Sequence, residues 1–428
     1  MPGAARTIHD FVCVACGCMC DDLSVEIAGN RVVGVAPPCP VAAKFLLAEP
    51  PTPLAECLID GEPASLDTAL ERAAEILRSA AAPLVMGLEG STVDAQRAAV
   101  AIADRLGAVI DPTDEFGRSR NHTAIATVGA VTATLGEVAA RSDLIVYWCV
   151  DPQTTHPRHI ERFARGKTAT AEAESARPPR VVVVDVERTT TAQAADEFLA
   201  ISTDSGAECL TTLRALVRGV ALDEATVLQQ TGLPLAKWKS LADQLKAAKY
   251  AAIFHEPPRK IVGGPDPQSQ AMAELVQDLH RHTRAVALRM GSPGNAVGAA
   301  QVLAWQTGFP AAVSFARGYP QYLPGEATAE RLLERGAVDA ALIIAADPLA
   351  HLSSAAQAHL RSILCVVVDE RVTKLSQAAT VAIFTAKFGV QTAGSVYRSD
   401  GVALPLRAAT CSTLPGADEV LTKLAARL

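Results

Sequence analysis

The stretches "SDLIVYWCVDP" (142–152) and "AVDAALIIAADP" (337–348) share one grammar, a short apolar run that ends in Asp-Pro. A run without a polar face suits a strand buried on both sides, as in a parallel sheet. "APLVMGLEGS" (82–91), "PRVVVVDVE" (179–187), "YAAIFHE" (250–256) and "ILCVVVDE" (363–370) repeat the pattern. Between them lie segments of helical period, such as "SLDTALERAAEILRSA" (65–80), with Ser65 placed to cap it, and "TVDAQRAAVAIADRLG" (92–107). Strands alternating with helices predict an α/β fold with right-handed crossovers. Each Asp-Pro falls where a parallel sheet presents its ligand-binding edge. Two ordinary strand-to-loop turns would read the same way.

The chain has 428 residues, enough for two or three domains, with 49% hydrophobic and 20% charged residues. Its formal charge of −7 and the lack of a long Lys/Arg run argue against a nucleic-acid or anionic-membrane partner. "MPGAARTIHDF" lacks the apolar core of a secretory signal, and no run is long enough to span a membrane. A cytoplasmic protein is expected. There cysteines stay reduced, and a dense group of them reads as metal-binding rather than as disulfides.

Such a group stands near the amino end. "CVACGCMCDD" (13–22) holds Cys13, Cys16, Cys18 and Cys20, and Cys39 follows in "APPCPVAAKFL" (36–46). Cys13, Cys16 and Cys20 are spaced C-x2-C-x3-C. With Cys39 they make four thiolates, the number that a [4Fe-4S] cluster or a structural zinc ion takes. The spacing favours the cluster; zinc and reduced cysteines without metal remain alternatives. Cys18 is a spare. Cys57, Cys149, Cys209, Cys365 and Cys411 lie in apolar runs and read as core. "LSVEIAGNRVVGV" reads as a hairpin turning at Gly29-Asn30, "PVAAKFLLAEP" as one or two helical turns, and "EPPTPL" as a linker.

The cysteine segment "CVACGCMCDDLSVEI…APPCPVAAKFL" resembles the amino end of the formylmethanofuran dehydrogenase B subunit. That protein is a compact relative of molybdenum- and tungsten-dependent formate dehydrogenases. "SDLIVYWCVDPQTTHPRHIERFA" (142–164), "GNAVGAAQVLAWQTGFP" (294–310), "YLPGEATAERLLERGAVDAALIIAADPLAHL" (322–352) and "TAGSVYRSDGVALPLR" (392–407) match the family's later landmarks in order. The resemblance implies a small iron–sulfur-type domain (1–58) followed by two interleaved Rossmann-like α/β domains. One would be discontinuous (59–140 and 290–428) and the other inserted (141–289), without the β-barrel that caps the pterin in larger relatives. It also places Asp151, Asp347, Thr392 and Asp400 near a pterin cleft.

Two departures from the family are legible. Where active members carry Cys or selenocysteine before His as the metal ligand, "FGRSRNHTAIATVG" (116–129) has Asn121 before His122. A neutral amide cannot supply the anionic sulfur that a soft, high-valent centre takes. The family's carboxylate-binding arginine aligns with Gly291 in "MGSPGNAVG", with Arg289 two residues away. The resemblance then implies a redox-inactive, structural B subunit without molybdopterin or tungstopterin. It would belong to a formyltransferase/hydrolase complex of tetrahydromethanopterin-linked one-carbon metabolism, beside an A-type hydrolase subunit, a C-type subunit and a formyltransferase subunit. The alternative is an active tungsten- or molybdenum-pterin formylmethanofuran dehydrogenase subunit. His156 and His159, three apart in "THPRH", are candidates for one helix face, with metal binding the less favoured role.

Overall fold

A computed structural model describes residues 5–49, 55–112, 124–164, 178–256 and 267–428. The chain packs into two compact units, 1–119 with 292–428, and 120–291. Most of the "EPPTPL" linker lies outside the described residues.

The second unit is one five-stranded parallel sheet built from β8 (Leu144–Trp148), β9 (Arg180–Asp185), β10 (Glu197–Ala200), β11 (Tyr250–His255) and β12 (Arg284–Arg289). Its order is β10-β9-β8-β11-β12. Numbered within the unit this is 3-2-1-4-5, a doubly wound order whose direction reverses between β8 and β11. The apolar runs are what bury it: every residue of β8 and β11 is buried. Trp148 packs at 6.3 Å from Trp238.

The first unit carries a nine-stranded sheet. Its parallel centre is β7 (Val109–Asp111), β6 (Pro83–Gly87), β15 (Ala340–Ile344), β16 (Leu364–Asp369) and β17 (Val381–Phe384), in that order. This is 2-1-3-4-5, the other common doubly wound order, and it reverses between β6 and β15. Antiparallel pairs close the edges, β13 (Val313–Ser314) with β14 (Gln321–Tyr322) and β4 (Cys57–Ile59) with β5 (Glu62–Ala64). The helix Leu66–Ser79 begins as its sequence predicts, with Ser65 Oγ accepting from Thr68 N at 3.2 Å. The mixed α/β architecture is the expected one.

The two units repeat a motif. β8 is followed by Cys149 (φ 53°) and β15 by Ala345 (φ 47°), each leading into x-Asp-Pro and a short helical turn. The next strands end in Asp185 and Asp369, and each leads to a five-residue helix capped by a threonine, Thr189 or Thr373.

The amino-terminal strands β1 (Arg6–Phe11), β2 (Leu23–Ala28) and β3 (Arg31–Ala36) form an antiparallel sheet. The β2–β3 turn has positive φ at both Gly29 and Asn30, the conformation of a two-residue hairpin. Phe11, Leu23, Val25 and Ile27 are buried on the sheet, and the β1–β2 loop packs against residues further along the chain. Val12, Val14 and Met19 pack with Phe388, Val396, Leu404 and Leu406 from the carboxyl-terminal segment, which includes the hairpin β18 (Gly394–Tyr397) and β19 (Ala403–Leu406). No helix among the described residues is long and apolar enough to cross a membrane.

Candidate metal centre and sheet-edge sites

Cys13, Cys16 and Cys20 sit on the loop between β1 and β2, which is folded back on itself. Cys13 N donates to Cys20 O at 2.9 Å and Met19 N to Cys16 O at 3.1 Å. Cys39 is the N-cap of the helix Pro40–Leu46. Cys13, Cys20 and Cys39 are buried and Cys16 is partly so. Burial pushes the Cys13 thiol well above its ordinary range against an opposing backbone hydrogen bond at Ala15, and Cys16, Cys20 and Cys39 push it up as well, so those three thiols lie within electrostatic reach of Cys13. A hydrogen bond with the Cys18 thiol leads the causes that lower Cys16. Cys18, the spare, is buried. Four cysteine thiols are, by type, the donor set of a soft-metal or iron–sulfur centre. Among the described residues no three His, Cys, Asp or Glu side chains close on one point to hold a single ion. Cys411 corrects the reading of the other cysteines as core. It is exposed, because the segment after β19 runs over the surface, where Cys411 N donates to Asn30 Oδ1 at 2.8 Å.

The Asp-Pro residues lie at the reversal points of their own sheets, after β8 and after β15. Asp151 accepts from Thr191 N (3.0 Å), Thr191 Oγ1 (2.5 Å) and Thr154 Oγ1 (2.7 Å), which fastens the β8 end to the helix after β9. Burial pushes its carboxyl up, but these bonds outweigh burial and lower it. Asp347 caps the turn after β15, accepting from Leu349 N at 3.4 Å. Thr392 accepts from Gly389 N at 3.3 Å, and Asp400 takes Arg398 bidentately at 2.8 and 2.8 Å. Asp347, Thr392 and Asp400 belong to the first unit and Asp151 to the second.

Asn121 and His122 lie outside the described residues. Gly291 does not. Its φ is +80°, a region that side-chain-bearing residues seldom adopt. Its N–H donates to Glu256 Oε1 at 2.7 Å. Arg289 is engaged by the same carboxylate, through Nε at 3.1 Å and Nη2 at 2.8 Å. His156 and His159 do not share a helix face. His156 ends the turn Pro152–Thr155 with non-helical backbone, and its Nε2 bonds Gly291 O at 3.0 Å. His159 is buried among Phe254 (4.5 Å), Phe163 (5.6 Å) and Tyr147 (5.8 Å). Burial lowers both imidazoles, His159 to about 3.

Sequence reasoning missed Lys387 and Glu370. Lys387 is buried, and its Nζ donates to Phe45 O at 2.8 Å and Ala48 O at 3.0 Å. Glu370 accepts from Phe388 N, and burial raises its carboxyl to about 7. Each follows a strand run as an ordinary loop residue would, so no local signal marks it.

Two doubly wound sheets place the chain in the α/β class. No family model matches it. It is 34% identical over 413 residues to the B subunit of the tungsten-containing formylmethanofuran dehydrogenase 2 of Methanocaldococcus jannaschii, covering 94% of this chain and 93% of that one. The corresponding Methanococcus maripaludis protein is 30% identical, at 94% of both chains. The B subunit of the Methylorubrum extorquens formyltransferase/hydrolase complex Fhc is 29% identical over 297 residues, 68% of this chain and 74% of that one. The chain belongs to the family of formylmethanofuran dehydrogenase B subunits. The crystal structure of the Methylorubrum extorquens FhcABCD complex with methylofuran superposes with TM-score 0.71 at 25% identity, over 87% of this chain and 98% of that chain. Acetylene hydratase from Pelobacter acetylenicus shares the fold, with TM-score 0.71 at 12% identity over 98% of this chain and 69% of its own.

Proposed function

We propose that this chain is the B subunit of a cytoplasmic formyltransferase/hydrolase-type complex that releases formate from a formyl carrier, and that it serves there as a scaffold without redox chemistry of its own. The observation that carries the reading is Asn121 before His122, where an active member has a thiolate or selenolate. The backbone at Gly291 supports it, since φ +80° and two local hydrogen bonds suit a turn rather than a substrate-binding arginine. A constellation that acts as a unit does not survive such losses piecemeal. The partners in this reading are an A-type hydrolase subunit, a C-type subunit and a formyltransferase subunit, joined through interfaces larger than a standard recognition patch. Asp151, Asp347, Thr392 and Asp400 then act as the local fasteners their hydrogen bonds make them.

Cys13, Cys16, Cys20 and Cys39 would hold a four-iron cluster, in preference to zinc. Bound there, it would cross-link the β1–β2 loop to the helix Pro40–Leu46, and ligation would add to folding free energy. Cys16→Ser is therefore expected to lower the yield or melting temperature of the purified complex and to leave formate release per assembled complex nearly unchanged. A large loss of turnover in the fully assembled variant would count against the staple role.

The second reading is a tungsten- or molybdenum-pterin enzyme with an unusual ligand. It is favoured by the higher identity to the tungsten-containing relatives, 34% against 29%. Metal analysis of the purified complex separates the two. Tungsten or molybdenum near one per chain overturns the scaffold reading. Asn121→Ala is expected to leave activity and stability close to wild type, and a sharp loss of activity would support the second reading.

A further inference from the structure

The four cysteines come from two pieces of chain, the β1–β2 loop and the helix Pro40–Leu46. Neither piece is held in place by its own sequence neighbourhood alone. The segment Lys387–Asp400, more than three hundred residues away in the sequence, grips both.

At Cys39 the grip is on the far end of the helix. The Lys387 ammonium donates to Phe45 O and Ala48 O and lies 4.9 Å from the centre of the Phe45 ring. A cation at the last carbonyls of a helix satisfies acceptors that have no partner within it and meets the favourable end of its dipole. The cost of burying an ammonium is recovered only while those acceptors stay in place. A displacement of this short helix would strand the charge, and Cys39 is the helix's N-cap.

On the three-cysteine loop the grip is a turn. Arg398, buried and locked bidentately to Asp400, also lies 3.9 Å from Asp21, the residue after Cys20. The same turn points Ser399 N at Gly17 O, at 3.3 Å, between Cys16 and Cys18. Gly389 lies against this loop as well: a Cβ there would fall 2.4 Å from Val14 Cγ2. Gly294 N donates to Val14 O at 2.9 Å from a third direction.

We propose that Lys387 and Arg398 are positioning residues of the four-cysteine site, Lys387 setting Cys39 and Arg398 setting the Cys13–Cys20 loop. The proposal rests on the reading of those cysteines as a metal centre. It assigns each residue to a different part of the site, so each has its own signature.

The test uses the full chain, metal-free and reduced, with iodoacetamide alkylation of each cysteine followed by mass spectrometry. Lys387→Met removes one charge and two hydrogen bonds while keeping an apolar stem. It is expected to speed alkylation of Cys39 about tenfold or more, through local opening, with little change at Cys13 and Cys20. Arg398→Gln is expected to give the reverse pattern. Cys57 and Cys365, buried in the nine-stranded sheet, report any general loosening. If Lys387→Met does not accumulate as folded chain, Lys387→Gln, which keeps one donor, is expected to show the same selectivity at smaller size. In parallel the wild type is reconstituted with iron and sulfide, and the variants are expected to load a cluster with altered absorption and electron paramagnetic resonance spectra. Lys387→Arg, which restores charge and donors, is expected to recover the wild-type spectrum in part. Alkylation that rises equally at all four cysteines, or at Cys57 and Cys365 as well, overturns the proposal, as does no change at any of them. If the wild type takes up neither iron with sulfide nor zinc, the metal reading falls and takes the proposal with it. If the wild type loads and the variants show no selectivity, the proposal alone falls.

Discussion

On acidification from pH 6.5 to pH 5 the second unit is expected to lose about 2 kcal/mol of unfolding free energy through His159 alone, at the linkage slope of ~1.4 kcal/mol per proton per pH unit. The reason is where this imidazole sits. It is held edge-on to Phe254 and beside Phe163 and Tyr147, where burial lowers its pKa from 6.5 to about 3. The sign follows from the depressed value. Well above pH 6.5 neither the folded nor the unfolded chain protonates this histidine, and its stabilising contribution is complete. Below pH 6.5 the unfolded chain takes up a proton that the folded chain refuses until about pH 3. Stability is therefore lost across that window as pH falls. His156 is shifted the same way by burial, which adds to the slope. Urea unfolding followed by tryptophan fluorescence in a Trp305→Phe background reports the unit, because the other two tryptophans, Trp148 and Trp238, lie within it and Trp305 lies in the first unit. His159→Phe keeps a ring among the aromatics and cannot titrate, so its decline between pH 7 and pH 5 is expected to be shallower by about 2 kcal/mol. Equal slopes in the two proteins would show that His159 is not held neutral.

Gly87→Ala is expected to destabilise the first unit by about 3 kcal/mol or more, the sum of left-handed backbone strain and overpacking. Gly87 ends β6 at the reversal point of the nine-stranded sheet, with φ +98°. An added Cβ would lie 2.2 Å from Ile344 O and 2.9 Å from Ala346 Cβ. The carbonyl is backbone in β15 and already accepts from Leu88 N at 2.7 Å, so it cannot move aside without breaking the central ladder. Gly61 makes the control. Its φ is +84°, but nothing lies within 4 Å of an added Cβ, so Gly61→Ala is expected to cost only about 1 kcal/mol, the strain contribution alone. If the two variants unfold at the same urea concentration, the close approach of β6 and β15 is not a constraint.

The strands of both units were legible because burial on two faces writes itself into sequence as uninterrupted apolar runs. β6, β8, β11 and β15 are all such runs. Caps and the Gly29-Asn30 hairpin were legible for the same local reason. The short edge strands were not, since β13 and β14 are two residues each and owe their pairing to β7, far away in the chain. Of the candidate site, the four cysteines were visible by residue type and spacing. What grips them was invisible, because Lys387 and Arg398 act through contacts of long sequence separation, and a lysine after a strand looks like any exposed lysine. The histidine pair misled for a related reason: spacing of three suggests one helix face only if the backbone is helical, and at His156 it is not.

The pairing of β6 with β15 has a consequence for biosynthesis. On the ribosome β6 and β7 emerge early, but β15 cannot appear until all of 120–291 has been translated. The second unit, contiguous in the chain, can complete its five strands first, while the amino-terminal half waits with apolar β6 lacking its neighbour and the cysteine loop lacking Lys387 and Arg398. Folding therefore runs against the usual amino-to-carboxyl order of domains. A nascent chain halted at 291 would pair a finished inserted unit with an exposed, thiol-rich remainder, the kind of intermediate that chaperones must shield until the carboxyl-terminal strands arrive.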